Sequence, residues 1–487
     1  MSSLAKDTFF YSVANWSRSL VSFVVAPVTI AYFTPAEFGY MSLVRTVASL
    51  CSIVGLLAVA DQGVARFFID AKDDAEKTGY VATSFLVSGT GVFCITFIIL
   101  VGTPFVPFFF KDVEVPIIFT ALIALLCLTQ SLRHAGSNML KWTFQSPLFT
   151  RIALVQTFLG AAVTIGGIVI FGWRAREVLL VGALTALGAG TWAIVAVRHY
   201  VKLSAVSKNK FKELAAYSWP LLGLNVFAFF TRSLDRIFLA ALASLAEVGI
   251  FSVSSAVAGV FQTALSGFFF AWGPYVLSTF RETWAPQRYA QFFSVISWFG
   301  IISIIGLGLW GSPVVMLFRP DGAYHKIGIF IPWIASGTLL YYLGGYFAPG
   351  PTITKKTYWK LFAFLLAATS NAVLNYILIP VLGILGAGIA TTTSSLMAGI
   401  FNQIVSNRLF FLANRWKFSF ALIVLFTAAI SFIQNEMFPY NIIGIPFVTR
   451  VFFTVIFICV ATLPFYRDIK ASGIINQITK MISKQVY

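Results

Sequence analysis

Apolar runs of about 20 residues recur from one end of the chain to the other, separated by short polar stretches, and each is long enough to cross a hydrocarbon core roughly 30 Å thick. The pattern predicts fourteen membrane-spanning helices. Six fall at 8–33, 38–60, 80–102, 115–133, 147–171 and 178–198. Six more fall at 214–243, 247–272, 291–311, 327–349, 358–380 and 384–406, and a final hairpin at 417–434 and 445–465. An even number of crossings puts both chain ends on one side.

The pattern also repeats. Ala36-Glu37-Phe38-Gly39-Tyr40-Met41-Ser42 matches Ala246-Glu247-Val248-Gly249-Ile250-Phe251-Ser252 at an offset of 210 residues. Laid without gaps, 36–63 over 246–273 keeps seven identities, and Asn15 falls on Asn225. Six helices per half is an even number, so the halves share an orientation. They are parallel repeats about an axis along the membrane normal, a known transporter plan. This divides the chain into a first six-helix bundle (1–200), a basic linker (201–213), a second six-helix bundle (214–407) and an additional hairpin with a tail (408–487).

Composition removes the alternative that 487 residues would otherwise allow, two or three soluble domains. Hydrophobic residues make up 59 % and charged residues 10 %, against about 25 % charged in a soluble domain. The expected fold is an all-α polytopic membrane protein. The first apolar run is too long for a signal-peptide core and is read as a retained helix. Cys51, Cys94, Cys127 and Cys459 lie inside apolar runs without metal-ligand spacing and read as packing residues. His134, His199 and His325 sit near span ends and form no cluster in the sequence.

The net charge of +17 would suggest nucleic acid in a soluble protein. Here it follows loop topology, and no nucleic-acid partner is expected. Loops on the side of the chain ends carry 23 basic residues, from Lys6 through Arg133, Lys141 and the Arg198–Lys212 linker to Lys480 and Lys484; the opposite side carries six, Lys111, Arg174, Arg176, Arg319, Lys326 and Arg450. The positive-inside rule therefore places both termini in the cytoplasm. The loop Asp61–Gly79 reads as an amphipathic surface helix. The opposite loops run to about a dozen residues, too short for a folded domain. Pro220 and Pro274 are the best hinge candidates, since proline inside a membrane bundle is tolerated and marks bends.

Ionisable residues inside spans are expensive, and they mark function by default. Arg18 lies near mid-span in the first helix, Arg45 near the outer end of the second, and Arg232, Asp235 and Arg236 in the outer half of the seventh. The last three stand at i, i+3 and i+4 and share a face. Fixing helix packing is the plain role for such a cluster. The excess of arginine over acid favours a cavity that receives an anion, because the guanidinium fork holds phosphate oxygens in pairs and stays protonated. The substrate candidates are Arg18, Arg45, Arg232 and Arg236, with Asn15 and Asn225. Asp235 leads as an ion-coupling acid, followed by Asp61. Arg151 and Lys141 are candidates for the cytoplasmic entrance. Trp16, Tyr217, Trp219, Trp272, Tyr275 and Trp298 are candidates for stacking on sugar rings, or equally for an interfacial belt. No catalytic constellation, metal motif or cofactor motif is present, so an enzyme is not expected. No nucleotide-binding motif is present either, so any driving energy would come from a proton or sodium gradient.

Ser233-Leu234-Asp235-Arg236-Ile237-Phe238-Leu239, followed by Ala246–Val253, resembles the seventh-to-eighth-helix segment of the polysaccharide (Wzx-type) flippases. The stretch Asn375–Thr391, an apolar run, Pro380, then Gly383-Ile384-Leu385-Gly386-Ala387, is similar to the same family. The likeness spans the twelve repeat helices, and only Asp235–Arg236 maps onto a family motif. The superfamily also holds multidrug exporters and lipid II flippases, and fourteen helices fit the polysaccharide and lipid II branches. The resemblance implies two six-helix bundles around a central cavity and export, by alternating access, of an undecaprenyl-diphosphate-linked oligosaccharide across a cell membrane, alongside polysaccharide-assembly proteins. Two other readings compete: an ion-coupled small-molecule exporter, which needs an acid-rich cavity, and a membrane glycan polymerase or ligase, which needs a large outer loop.

Overall fold

A computed structural model describes residues 2–356, 358–412, 414–437 and 445–471. Lys480, Lys484 and the loop at 438–444 lie outside the described residues, as does the side chain of Lys6. Among the described residues, fourteen helices are long and apolar enough to cross a membrane. In chain order the helices are α1 (Ser2–Tyr32), α2 (Pro35–Leu56), the short α3 (Val64–Asp70), α4 (Asp74–Val101), α5 (Pro116–Trp142), α6 (Ser146–Phe171), α7 (Ala175–Ala196) and α8 (Lys208–Leu242). Then follow α9 (Leu245–Thr279), α10 (Ala285–Phe318), α11 (Ile327–Tyr346), α12 (Tyr358–Leu382), α13 (Ile384–Leu409), α14 (Trp416–Met437) and α15 (Ile445–Thr462). No strand occurs among the described residues.

The chain forms two compact units, residues 1–249 and 250–487. In the first, α5 packs on α7, α1 on α6, and α2 on α4, α5 and α8. Thus α8, the seventh spanning helix, packs with the first unit although the repeat begins a second half there. In the second unit α11 packs on α13, α12 on α13, and α10 and α11 on the hairpin helix α14. The hairpin is held by polar pins as well as by apolar contact. Arg450 Nη1 donates to the Leu309 carbonyl at 2.8 Å, and Gln434 Nε2 to the Gly308 carbonyl at 2.6 Å. In an apolar bundle such groups must find partners inside the protein.

The repeated motif begins one turn earlier than its identities suggest. Thr34 caps α2: its Oγ1 accepts from the Glu37 amide at 3.3 Å, while the Glu37 carboxylate accepts from the Thr34 amide at 2.9 Å. This reciprocal capping box satisfies two donors that a helix start leaves open. At the start of α9 the Glu247 amide donates to Ser244 Oγ at 3.2 Å, the equivalent bond 210 residues on. The glutamate of the motif is thus a helix-start residue, and the glycine two positions later permits close packing.

Candidate functional site

The site is built on a break in regular helix. After α2 ends, Leu57 (φ 54°) and Ala58 (φ 56°) take the left-handed conformation, and Val59–Gly63 forms a π-helical turn. Left-handed backbone at non-glycine residues costs roughly 1–2 kcal/mol each. Such strain persists where surrounding packing enforces it and is frequent at functional sites. Gly63 lets the turn sit against α8: a Cβ there would lie 2.3 Å from Ser218 Oγ. The turn places half-buried Asp61 against α5, and Gln62 Nε2 donates to Asn225 Oδ1 of α8 at 3.4 Å.

On α5, His134, Asn138 and Lys141 follow at i, i+4 and i+7 and so line one face. Asn138 Nδ2 donates to Asp61 Oδ1 at 2.8 Å and contacts His134 Nε2 at 3.1 Å; Lys141 Nζ donates to Asn138 Oδ1 at 3.2 Å. His134 Nε2 stands 3.5 Å from Asp61 Oδ2. Burial pushes the Asp61 carboxyl up, but at the acid pH where it titrates a protonated His134, the charge of Lys141 and the Asn138 hydrogen bond outweigh burial, and the net direction is down. Asp61 is therefore the carboxylate of the group.

Arg18 of α1 completes the group. Its Cζ lies 6.0 Å from the centroid of the Phe149 ring, and Lys141 Nζ lies 5.5 Å from the same centroid. Phe149 is the fourth residue of α6 and is buried. Helical side chains tilt toward the helix N-terminus, so the Arg18 charge lies nearer the start of α1 than its Cα. Arg18, Arg133 and Lys141 lie close enough to repel one another. Three cations thus gather within reach of one another: Asp61 faces His134 and Lys141, and a second carboxylate, Asp7 of α1, accepts from Ser146 Oγ at the start of α6.

Of the residues expected from sequence, Arg18, Lys141 and Asp61 meet here, and Asn225 touches the same turn. Asn15 is exposed one turn before Arg18, and Arg151 is exposed two residues beyond Phe149. Arg232, Asp235 and Arg236 lie further along α8. At 1.5 Å per residue, Arg232 is roughly 10 Å and Arg236 roughly 16 Å beyond Asn225. Asp235 is buried, Arg232 is exposed, and Arg236 Nη1 donates to the Arg232 carbonyl at 3.5 Å. Arg45 is accessible on α2, which packs against α8.

Three sequence readings are corrected. Arg133 is not a loop residue: α5 continues to Trp142, so the arginine lies inside the helix. His134 does join a cluster. The sugar-stacking set divides, because Trp272 is only 2 % accessible and is stacked on Tyr346 and Phe292, with its Nε1 bonded to the Tyr346 carbonyl at 3.0 Å. Trp298 Nε1 is bonded to Thr462 Oγ1 at 3.0 Å. Trp16 and Trp219 remain open, 68 % and 75 % accessible. The missed members, His134 and Asn138, had a signal in the i, i+4, i+7 spacing with Lys141.

Residues 4–280 match the model of a family described as polysaccharide biosynthesis protein. The chain belongs to that family. It is 22 % identical over 427 residues to the "Probable flippase AglR" of Haloferax volcanii, covering 82 % of this chain and 83 % of that one. Its fold is similar to that of the lipid II flippase MurJ in an inward closed conformation, with TM-score 0.69, 13 % identity, and 95 % and 99 % of the two chains covered. It is also similar to a multidrug resistance MATE family transporter of the MOP superfamily, with TM-score 0.62, 11 % identity, and 86 % and 96 % covered. Family and fold together make this a multi-pass membrane protein of the flippase and transporter type.

Proposed function

We propose that the protein moves a polyprenyl-diphosphate-linked oligosaccharide, of the undecaprenyl type, from the cytoplasmic to the outer leaflet by alternating access. The observation that carries this reading is the mutual approach of three cations, Arg18, Arg133 and Lys141, with Arg18 and Lys141 over the same Phe149 ring and Asp61 as the carboxylate that faces Lys141. A cation excess in a low-dielectric setting needs a mobile anion to complete it. A diphosphate supplies two or more charges and several acceptor oxygens, and charge-assisted bonds to it are strong. Arg45, Arg232 and Arg236, further along α2 and α8, form a second station for the same head group. The lipid tail stays in the bilayer, and Arg151 with Lys141 marks the cytoplasmic entrance, with both termini on that side. Polysaccharide-assembly proteins are the expected cellular partners.

The halves that rock are the two repeats, 1–200 and 214–407, joined by the linker 201–213, with 408–487 as an addition. A proton or sodium ion couples through Asp61 or Asp235. The likeness in fold to a multidrug transporter favours a second reading, ion-coupled export of a small molecule. Arginine enrichment selects against a cationic cargo, and exchange of an anionic glycolipid for a cationic dye in proteoliposomes decides between them. Transport of a fluorescent polyprenyl-diphosphate oligosaccharide that is lost in Arg18→Ala and Arg232→Ala supports the flippase; dye movement without lipid movement supports the exporter.

A further inference from the structure

The amide of Asn138 faces three partners, and they fix its state. Its Oδ1 accepts from Lys141 and its Nδ2 donates to Asp61. Turning the amide over would set its NH₂ against the lysine ammonium and its oxygen against the carboxylate, so the orientation is determined by its neighbours. The same Nδ2 contacts His134 Nε2 at 3.1 Å. An amide nitrogen can only donate, so Nε2 accepts and carries no proton. Asp61 Oδ2 stands 3.5 Å from that bare nitrogen, too long for a good hydrogen bond. A proton on Nε2 would reverse both contacts. It would draw Asp61 toward the ring as an ion pair, and it would clash with the N–H of Asn138. Once Asp61 has moved to the ring, the amide relieves that clash by turning, and turning releases Lys141.

We propose that His134 Nε2 is the proton acceptor of the transport cycle, and that its protonation turns the Asn138 amide and hands Lys141 to a bound diphosphate. The inference rests on the diphosphate reading of the Arg18–Arg133–Lys141 group and gives that site its coupling ion. The proton comes from solvent and is held between His134 Nε2 and Asp61 Oδ2, and no bond other than hydrogen bonds is made or broken. Anion binding and proton binding then favour each other: the anion takes Lys141 from Asn138, which frees the amide to turn, and its charge stabilises the imidazolium. Reciprocity is required by linkage.

The groups facing Asp61 are few. Helix α5 brings His134, Asn138 and Lys141; Arg133 of α5 and Arg18 of α1 act on Lys141, and Asp7 of α1 is engaged with Ser146 of α6. Helix α8 brings uncharged Asn225 and Ser218 against the turn. Its Glu213 is engaged with Tyr80 of α4, and Arg66 of α3 is paired with Asp70.

The test is calorimetric titration of inorganic pyrophosphate into the full-length protein in detergent, between pH 6 and 8, in two buffers of different ionisation enthalpy. Wild type is compared with His134→Gln, Asn138→Ala and Arg18→Ala, each checked for a monodisperse elution profile. Protons belonging to pyrophosphate itself are common to all and cancel in the differences. The expected result is that wild type takes up about one proton more per pyrophosphate than His134→Gln. Its affinity should also weaken by up to about tenfold more per pH unit, the slope for one linked proton. Asn138→Ala, whose Lys141 is already free, should lose most of that slope even if His134→Gln does not fold. Equal proton uptake and equal slopes, with binding still lost in Arg18→Ala, would overturn the proton switch and leave the diphosphate site standing. No pyrophosphate binding by wild type, or binding unchanged in Arg18→Ala, would overturn the site reading and the switch with it.

Discussion

Gly39 and Gly249 face each other across a contact with no room for a side chain. A Cβ on Gly39 would lie 1.8 Å from the Leu245 carbonyl oxygen, and a Cβ on Gly249 would lie 1.8 Å from the Pro35 carbonyl oxygen. The contact is reciprocal at the 210-residue offset, since Pro35 and Leu245 are themselves equivalent positions. The start of α2 and the first turn of α9 therefore meet as copies of one motif. Small residues allow helix backbones in membranes to approach in this way, and the contact is then held by van der Waals packing.

Substitution at this contact should cost stability at both positions. Gly39→Ala and Gly249→Ala are each expected to destabilise by about 1–3 kcal/mol, as overpacking does. Gly89, on α4, has nothing within 4 Å of its Cβ position. Gly89→Ala should therefore be neutral or slightly stabilising. Thermal unfolding of the three variants in one detergent checks the order, and equal melting temperatures would remove the contact from the account.

Asp61 predicts a pH dependence with a definite sign. Its folded value lies below the ordinary carboxylate value of about 4. Such a group contributes stability that is present above the unfolded value and is lost as pH falls through the folded one. Wild type should therefore be more stable than Asp61→Asn at pH 6, and the gap should close below about pH 4. Melting curves of both proteins from pH 3 to 7 measure this. A gap that widens toward acid would contradict the assignment of Asp61 as a stabilised carboxylate.

The aromatic residues should separate into two groups. Trp272→Ala removes a buried ring packed between Tyr346 and Phe292 and should cost about 3–5 kcal/mol of stability. Trp16→Ala and Trp219→Ala change open side chains and should leave the melting temperature nearly unchanged. If Trp272→Ala melts like wild type while transport falls, the ring acts on substrate and its packing role is secondary.

Much of the fold was legible because span length and repeat pattern are local properties of the chain. The fourteen spans were all there to be read, and so was the equivalence of 36–42 with 246–252. What the motif does was not legible, because the meaning of Gly39 depends on a segment 210 residues away. Hydropathy also cut the fourth span at 133, where polar residues begin. The helix runs on to Trp142 because its polar residues share one face and its backbone bonds are unaffected. The site lies on that hidden extension. Arg18 was found by depth alone, but its company was not, since the side chain leans back toward Phe149. In the sequence Asp61 opens the amphipathic stretch 61–79 and is the second ion-coupling candidate, with nothing to aim it at α5. The left-handed pair Leu57–Ala58 and the π-helical turn that aim it at α5 carry no composition signal, because neither residue is glycine.

The central claim is that Arg18, Arg133 and Lys141 receive the diphosphate of a glycolipid. The measurement that tests it most directly is flipping of a fluorescent polyprenyl-diphosphate oligosaccharide in proteoliposomes, comparing wild type with Arg18→Ala, Arg133→Ala and Lys141→Ala. Loss of one charge-assisted hydrogen bond is worth about 1.5–3 kcal/mol, so each variant should lose roughly 10- to 100-fold in transport at limiting substrate. The melting temperatures of Arg18→Ala and Arg133→Ala should stay near wild type, since the three cations repel one another, whereas Lys141→Ala also loses its contacts with Asn138 and Asp61 and should melt somewhat lower. Folded variants that flip the lipid at the wild-type rate would contradict the claim.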